Sequence, residues 1–315
     1  MPESFFVLSK ENLELARDEI IAIAKTYDRF SKVKSFSNLI IIQSKTPWEI
    51  IAKRAAFVKT AGQVLKKMSN LFLDDNCFKI LNNTKTFSCR VINLSKKKLD
   101  SPELEKVMGD MISKFSQAKV SLDSSSLIIY LIFTGSQSFF GISNKFVKPK
   151  PPKKVKNHPH ELDSKLSRVM INLAGFKEGN TVCDPFCGTG TTLLEAESMG
   201  INSIGIDFDK KMCEFSKRNL FENQFNSKVI NADYSYLKKI PTKYDGIVTD
   251  LPYGRASKSS IQPKKLLQNF VAIIPKKKRL VIMCKKGFEK DLNLKLSKKY
   301  EIYRHKSLTR TILVK

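Results

Sequence analysis

The sequence of 315 residues has no apolar run of 18 or more residues, so it offers no candidate for a membrane-spanning helix. It contains three histidines, and its six cysteines form no Cys-x-x-Cys pair, so we expect no structural zinc site. No basic region follows Met1, and we therefore expect no secretory signal. Together these absences predict a cytoplasmic protein whose cysteines are reduced thiols.

Two common nucleotide-binding motifs are incomplete in this chain. A P-loop needs Gly-Lys-Ser/Thr, and the glycine-rich turn over residues 188–190 lacks it. A dinucleotide-binding fold would have a third glycine near position 193, where Leu193 stands. These absences disfavour a nucleotide triphosphatase and a dehydrogenase.

Acidic residues are few in comparison with basic ones. The net charge is +26, and it is divided evenly, because residues 1–157 carry 27 Lys/Arg against 14 Asp/Glu and residues 158–315 carry 29 against 16. This distribution is typical of a protein that binds an extended polyanion with both of its halves. A lysine-rich, solvated surface would produce the same numbers, so both interpretations stay open.

The N-terminal half predicts an α+β region in which strands and helices alternate. Helices are predicted over residues 12–27, 48–61 and 101–115, and strands over residues 5–8, 37–43, 86–92, 127–133 and 139–142. Ser101 is expected to cap the third helix, with Pro102 in its first turn. Residues 148–157 contain three prolines and five lysines, which favour an extended basic linker.

From residue 158 onward, short apolar strands alternate with helices. Strands are predicted over residues 181–183, 203–206, 228–230, 245–249 and 279–283, with two further strands over residues 300–303 and 311–314. This pattern predicts a doubly wound, mostly parallel α/β sheet. Ligands of such sheets bind at the carboxyl ends of the strands.

Aspartates follow four of these strands, namely Asp184, Asp207, Asp233 and Asp250. In the turn after the first strand, Gly188 and Gly190 allow a ligand to approach the backbone. An acid after the second strand commonly binds ribose hydroxyls. A single aspartate of this kind is often only a helix cap. Four in succession favour S-adenosylmethionine, which has a ribose, an adenine and a positive sulfonium.

An Asp-Leu-Pro-Tyr-Gly segment follows the fourth of these strands. The lone pair of an exocyclic amine is delocalised into the base, so acceptors that bind the amine hydrogens help to localise it. We assign this role to the Asp250 carboxylate and the Leu251 carbonyl, with Pro252 fixing the turn. Tyr253 would stack on the base, which contributes about 1–3 kcal/mol. The segment predicts methyl transfer to a nucleobase amine, although a simple turn would have a similar sequence.

Basic residues provide candidate phosphate contacts. They are Lys96, Lys97, Lys98, Lys150, Lys153, Lys154 and Arg255. Phosphate binding by lysine and arginine is largely independent of base sequence. A solvated protein surface is the alternative interpretation of each lysine run.

Several segments together resemble the THUMP-domain RNA methyltransferases, and in particular the archaeal enzymes that methylate guanine N2 at tRNA position 10. In the C-terminal half they are residues 158–174, 184–191, 205–207, 232–233 and 249–255. In the N-terminal half, residues 87–91, 101–105, 118–122 and 140–142 are similar to the THUMP module. The resemblance covers most of the chain and is looser before residue 80.

The resemblance implies a ferredoxin-like segment over residues 1–70, a THUMP RNA-binding domain over 71–147, a linker over 148–157, and a Rossmann-like methyltransferase domain over 158–315. It implies that a monomer binds S-adenosylmethionine and tRNA without a metal. The cofactor-binding residues would be His158, Asp184, Pro185, Phe186, Gly188, Gly190, Thr191, Asp207, Asp233 and Asp250.

One residue departs from the family pattern, which usually has a second proline where Leu251 stands. Because the backbone carbonyl acts at that position, we expect activity to survive with a less stiff loop. Two alternatives remain open. One is an enzyme that modifies another tRNA guanine, such as the one at position 6, or another amine. The other is a non-catalytic RNA-binding protein with a degenerate methyltransferase fold, against which the four acids and Tyr253 argue.

Overall fold

The computed structural model describes residues 1–68, 83–144, 146–159, 161–252, 262–305 and 308–315. The chain forms two compact units, Met1–Pro149 and Lys150–Lys315. Tyr253, Arg255 and the expected domain boundary at residues 70 and 71 lie outside the described residues. The division of the first unit into two domains therefore stays a prediction.

The first unit contains one mixed sheet and three helices among its described residues. Its strands are β1 Glu3–Leu8, β2 Lys32–Phe36, β3 Leu39–Gln43, β4 Val58–Met68, β5 Thr86–Asn93, β6 Lys119–Val120, β7 Leu127–Phe133 and β8 Ser138–Ser143. Its helices are α1 Leu13–Tyr27, α2 Trp48–Arg54 and α3 Ser101–Phe115. The strand order is β2-β3-β1-β4-β8-β7-β5-β6. Because β4 pairs with both β1 and β8, strands from before and after residue 70 share this sheet.

The helix expected over residues 48–61 ends at Arg54, so that prediction was wrong in its second half. The buried carboxylate of Glu19, on α1, accepts hydrogen bonds from the backbone N–H groups of Ala56 at 2.8 Å and Phe57 at 3.1 Å. These bonds replace the helical ones, and the chain continues as β4 instead. The apolar periodicity of the segment could not reveal a partner on another helix.

Two smaller expectations were inexact at their boundaries. The strand expected over residues 37–43 is present as β3, which begins at Leu39 because Ser37, with a φ of 52°, lies in the turn of a hairpin between β2 and β3. The cap of α3 is Asp100, whose carboxylate accepts from the Glu103 N–H at 3.1 Å, so Ser101 is the first residue inside the helix. Both errors are shifts of one to a few residues.

The second unit is built on seven strands among its described residues. They are β9 Thr181–Asp184, β10 Asn202–Asp207, β11 Lys228–Asn231, β12 Gly246–Asp250, β13 Arg279–Lys285, β14 Lys298–His305 and β15 Leu308–Val314. The helices are α4 Ser164–Leu173, α5 Thr191–Ser198, α6 Lys210–Glu222 and α7 Pro263–Ile273, with 3₁₀ turns at Tyr234–Lys239 and Phe288–Asp291. The seven strands include both of the terminal strands expected from the sequence.

The strand order is β11-β10-β9-β12-β13-β15-β14, with β9 to β13 parallel and β15 antiparallel to both of its neighbours. The predicted α/β fold is confirmed. The chain leaves β9 towards β10 on one side and later returns to β12 on the other, so the strand order reverses between β9 and β12. Ligands of doubly wound sheets bind at the carboxyl ends of the strands beside such a reversal.

Close packing in the first sheet depends on Gly62 of β4. A Cβ atom at this position would lie 2.2 Å from the Ile142 carbonyl oxygen and 2.7 Å from the Phe5 ring. We expect Gly62→Ala to lower the free energy of unfolding of the first unit by about 1–3 kcal/mol, because overpacking forces the sheet to shift. Fluorescence of Trp48, the chain's single tryptophan, during chemical denaturation measures this.

Gly135→Ala is the matched control, since a Cβ there meets no atom within 4 Å. This variant should unfold at the same denaturant concentration as the unmodified chain. Equal stability of the two alanine variants would contradict the close approach of β4 and β8.

Candidate active site

Two glycines determine the shape of the turn that follows β9. Gly188 and Gly190 have φ angles of +52° and +87°, in the left-handed region that favours glycine. A Cβ at Gly190 would lie 2.4 Å from the Ser216 hydroxyl of α6, whereas a Cβ at Gly188 would meet no atom within 4 Å. The turn therefore packs tightly on α6 at one glycine and faces open space at the other. Directly after it, α5 begins at Thr191.

Asp184 ends β9 as a buried carboxylate. Its Oδ1 accepts hydrogen bonds from the Thr249 hydroxyl at 2.6 Å and from the Phe186 N–H at 3.1 Å. The pKa of Asp184 is raised to about 6, chiefly by burial and also by the Asp207 carboxylate, against the lowering effect of its hydrogen bonds. The side chain thus ties the turn after β9 to the neighbouring strand β12.

Asp207 ends β10 and reaches back to the same turn. Its Oδ2 accepts from the Gly188 N–H at 2.9 Å, and its Oδ1 accepts from the Asp209 N–H at 2.9 Å. Burial raises the pKa of Asp207, against the effect of these two bonds. Asp233, after β11, is exposed and caps the following 3₁₀ turn through the Ser235 N–H at 2.9 Å. Both carboxylates have a structural role, and each oxygen retains a lone pair for a ligand hydroxyl.

Aromatic rings line the region beside the turn. The Phe186 ring lies 5.5 Å from that of Tyr234 and 5.2 Å from that of Phe270, measured between ring centres. Pro185 precedes Phe186 in the turn. The three rings connect the turn to α7 and to the 3₁₀ turn after β11.

A charged cluster that the sequence did not reveal supports the turn. Glu161 Oε2 accepts from the Thr189 hydroxyl at 2.7 Å and from the His158 N–H at 3.1 Å, and forms an ion pair with the Lys154 Nζ at 2.7 Å. Lys154 Nζ also donates to the Thr191 hydroxyl at 2.8 Å. The linker and the backbone of His158 are thereby fastened to the turn.

Asn219 of α6 fastens the same linker from the other side. Its amide nitrogen donates to the Thr189 carbonyl at 2.9 Å and to the Lys156 carbonyl at 2.8 Å, and its oxygen accepts from the Val155 N–H at 2.9 Å. Residues 150–157 therefore belong to the second unit. No local pattern predicts such a residue, because its partners lie at least 30 positions away in the sequence.

Asp250, at the end of β12, forms an ion pair with Arg310 of β15. Arg310 Nη1 donates to Asp250 Oδ2 at 3.0 Å, and the two side chains are only 6% and 14% exposed. Asp250 Oδ1 is buried and accepts no hydrogen bond from the described residues. The pKa of Asp250 is raised to about 7, chiefly by burial and also by the charge of Asp184, against the lowering effects of Arg310 and Arg304. The sequence analysis missed this pair. The signal that could have revealed it is the single arginine within the largely apolar strand β15.

The segment after Asp250 continues the sheet by one residue. The Leu251 N–H donates to the Met283 carbonyl of β13 at 2.9 Å, and the Leu251 side chain is buried in the hydrophobic core with Leu266 and Ile282. Pro252 follows, partly buried. A proline in place of Leu251 would have no N–H for this bond.

The expected RNA-contacting lysines lie in different environments. Lys96, Lys97 and Lys98 are exposed after β5, and Lys150 is exposed at the start of the second unit. Lys153 is exposed but forms an ion pair with Glu222. Lys154 is only 12% exposed and is occupied by the cluster around Glu161.

Other kinds of site find no support in the described part of the chain. Every helix described there is too short or too polar to cross a bilayer. In the same described residues, His, Cys, Asp and Glu side chains form no group of three or more placed to hold a metal ion. All five cysteines for which the structure describes a state are free and buried.

Several known methyltransferases are similar to this chain. The RMKL-like methyltransferase domain family matches residues 151–310, and a DNA methylase family matches residues 2–218. A tRNA (guanine(10)-N2)-dimethyltransferase of Methanocaldococcus jannaschii is 30% identical, over 98% of each chain.

Two solved structures share the fold. TrmN from Thermus thermophilus has a TM-score of 0.57 at 16% identity, covering 100% of this chain and 99% of its own. SMU.472, whose structure was solved with SAH bound, has a TM-score of 0.51 at 14% identity, covering 99% and 97%.

The buried Asp184 predicts a pH dependence of stability. Its pKa is raised from 3.8 to about 6, so its stabilising contribution is complete below about pH 4 and is lost as the pH rises through 6. The loss amounts to about 3 kcal/mol. Asp184 also forms a hydrogen bond with the Thr192 side chain. Asp184→Asn keeps an oxygen for the Thr249 hydroxyl and the Phe186 N–H, and it has no charge to bury. We expect its free energy of unfolding, relative to the unmodified chain, to be higher at pH 7 than at pH 4.

Circular dichroism during chemical denaturation of the full chain measures this difference, while Trp48 fluorescence follows the first unit separately. Glu301→Gln, which removes an exposed carboxylate from the same sheet, is the control and should show no such pH-dependent difference. A constant difference between Asp184→Asn and the unmodified chain from pH 4 to 7 would be incompatible with a buried, charged Asp184.

Proposed function

Since this chain belongs to the family of the tRNA (guanine-N2) methyltransferases, we propose that it adds one or two methyl groups to the N2 amine of guanine 10 in tRNA. The observation that carries the proposal is the buried Asp250 carboxylate at the carboxyl end of β12, beside the reversal of strand order. Position 10 comes from the relative in Methanocaldococcus jannaschii, which spans nearly the same length.

The cofactor is S-adenosylmethionine, which supplies an electrophilic methyl group when it is bound. The residues beside the strand reversal fit it. The space above the Gly188 backbone is free of protein atoms, so a ligand can approach the turn closely. We assign Asp207 and Asp233 to the ribose and adenine, and the turn over residues 184–191 to the remainder. Buried carboxylates at Asp184 and Asp207 complement a positive sulfonium electrostatically.

The substrate amine would be held by acceptors from this chain. In the proposed arrangement Asp250 and the Leu251 carbonyl bind the two hydrogens of the guanine N2 amine. This favours a localised lone pair that points away from both acceptors. Because Leu251 is fixed by its bond to Met283 and by its buried side chain, its carbonyl has little freedom to move. Most of the rate enhancement would come from such positioning.

Asp250 is also suited to take up a proton. Methylation leaves the amine nitrogen with an extra positive charge, which is removed when one N–H bond breaks and its electron pair returns to nitrogen. The proton passes to the ionised Asp250 carboxylate and from there to solvent. A carboxylate whose pKa is raised to about 7 by burial accepts this proton at neutral pH more readily than an exposed aspartate does.

The net charge of +26 supports a polyanionic substrate. We assign Lys96, Lys97, Lys98 and Lys150 to phosphate contacts, because all four are exposed. Lys154 is reassigned to fastening the linker to the turn, since its ammonium group is buried against Glu161. We propose that the first unit, with its THUMP-like segments, binds the acceptor end of the tRNA together with the linker.

We expect Asp250→Ala to lower the rate of methyl transfer to unmodified tRNA by on the order of 100-fold or more, by analogy with the loss of one hydrogen-bonding group from other active sites. Cofactor binding should persist, because the turn after β9 does not depend on this side chain. Single-turnover assays with radiolabelled cofactor give the rate, and calorimetry gives the affinity. Asp250→Asn, which keeps the shape of the side chain, checks that the loss is not one of folding.

Asp245→Asn is the matched control, since Asp245 is exposed and precedes the same strand that Asp250 ends. It should retain the rate of the unmodified enzyme. Normal turnover by Asp250→Ala would refute the amine-binding role. Mass spectrometry of the labelled nucleoside then maps the target, and label at a guanine other than position 10 would exclude the proposed position.

A further inference from the structure

Arg310 makes a contact with Asp250 that the family resemblance did not assign. The two residues lie on either side of β13: Asp250 is opposite Met283 in the β12–β13 pairing, and Arg310 is opposite Lys285 in the β13–β15 pairing. The guanidinium therefore has to cross β13 to reach the carboxylate. On the way its Nη1 lies 3.5 Å from the Met283 sulfur, which lines the crossing.

We propose that Arg310 is a positioning residue for the methyl transfer, which holds Asp250 by Oδ2 and leaves Oδ1 as the acceptor for the substrate amine. This inference rests on the proposed function, because it takes Asp250 as the group that binds the amine. It adds a second residue, 60 positions away, to the reacting end of the site.

The hydrogen bonds of the Asp250 carboxylate fix its orientation. An aspartate can rotate about its side-chain bonds and present either oxygen. A charge-assisted bond at 3.0 Å to a buried arginine fixes which oxygen is occupied. The other oxygen, Oδ1, is buried and accepts nothing from the described residues, and a buried acceptor without a donor is unfavourable. A substrate amine would supply the missing donor.

Arg310 also affects the charge of Asp250, independently of the orientation of the carboxylate. A protonated Asp250 would present a hydroxyl in place of an acceptor and could not take up a proton. Burial and the charge of Asp184 favour the protonated form, whereas Arg310 and Arg304 favour the ionised one. Of these two, Arg310 alone donates a hydrogen bond to the carboxylate among the described residues. Loss of Arg310 should therefore leave Asp250 protonated at neutral pH.

Three further ionisable groups interact with Asp250 electrostatically. Asp184 lies on β9, Arg304 on β14 and Cys284 on β13. Burial raises the pKa of Cys284 to about 12, so this thiol stays neutral in the pH range of an assay. If removal of Arg310 changes the pH dependence of the rate, the change is thus attributable to the titration of Asp250, or to that of Asp184, whose charge acts on Asp250.

The test compares pH profiles of single-turnover methyl transfer for the unmodified enzyme, Arg310→Met and Arg310→Lys. We expect Arg310→Met to move the acid limb to higher pH by about one to three units, because a neighbouring positive charge lowers a carboxyl pKa by that amount. At pH 7 this lowers the rate about fivefold or more, because Asp250 has a pKa of about 7 in the unmodified enzyme. Raising the pH restores part of the rate. Arg310→Lys keeps the charge but not the planar geometry, so its acid limb should stay in place while its plateau falls.

Arg168→Met is the matched control, because Arg168 pairs with Glu195 at 2.7 Å in an equally buried ion pair of the same unit. It should lower thermal stability without moving the acid limb. If Arg310→Met does not fold, Arg310→Lys carries the test through its plateau. An Arg310→Met enzyme with the acid limb and plateau of the unmodified one would overturn the proposal, as would an Arg310→Lys enzyme with an unchanged plateau.

A second measurement separates this inference from the proposed function. The Asp250 carboxyl carbon can be followed by ¹³C NMR in the cofactor-free protein as the pH changes, with Asp250→Asn to assign the signal. We expect the titration to occur at higher pH in Arg310→Met than in the unmodified chain. If this shift appears but no tRNA is methylated, the proposed function has failed while the Arg310–Asp250 coupling stands. If methylation occurs and the titration is unchanged, the role of Arg310 is refuted.

Discussion

The burial of two carboxylates at one edge of a sheet is the constraint on which the second unit depends. Asp184 and Asp250 end β9 and β12, the two strands that flank the reversal of strand order, and the charge of Asp184 makes ionisation of Asp250 harder. An unpaired buried charge is strongly destabilising. The hydroxyl of Thr249 and the guanidinium of Arg310 offset this at Asp184 and Asp250, respectively. The electrostatics of the site are therefore determined by which strands are neighbours.

The C-terminal strands β14 and β15 contribute to this site, because β15 carries Arg310. A parallel sheet from β11 to β13 would already bring the aspartates to one edge. β15 runs antiparallel beside β13, and this places Arg310 within reach of a residue that precedes it by 60 positions. The cofactor turn depends in a similar way on residues outside it, since Glu161, Lys154 and Asn219 hold Thr189 and the linker together.

The sequence predicted the features that depend on local pattern. Apolar strands followed by aspartates are recognisable in the sequence, and all seven strands of the second unit were expected, together with the aspartates that follow four of them. Features that need a distant partner were missed. The predicted helix beyond Arg54 failed because Glu19 binds the following N–H groups, and Lys154 was expected at RNA phosphates because nothing nearby in the sequence shows Glu161 as its partner. The missing information was tertiary.

Leu251 illustrates how structure changes the meaning of a departure from a family pattern. From the sequence, replacement of a proline by leucine suggested a less stiff loop. The structure supplies two constraints that proline would not, namely the N–H bond to Met283 and a side chain in the core beside Leu266. Proline restricts a backbone by fixing φ, whereas Leu251 is restricted by continued strand pairing and by burial. Because the following carbonyl is the proposed second acceptor, the same rigidity is achieved here through contacts with β13 and the core rather than through a ring.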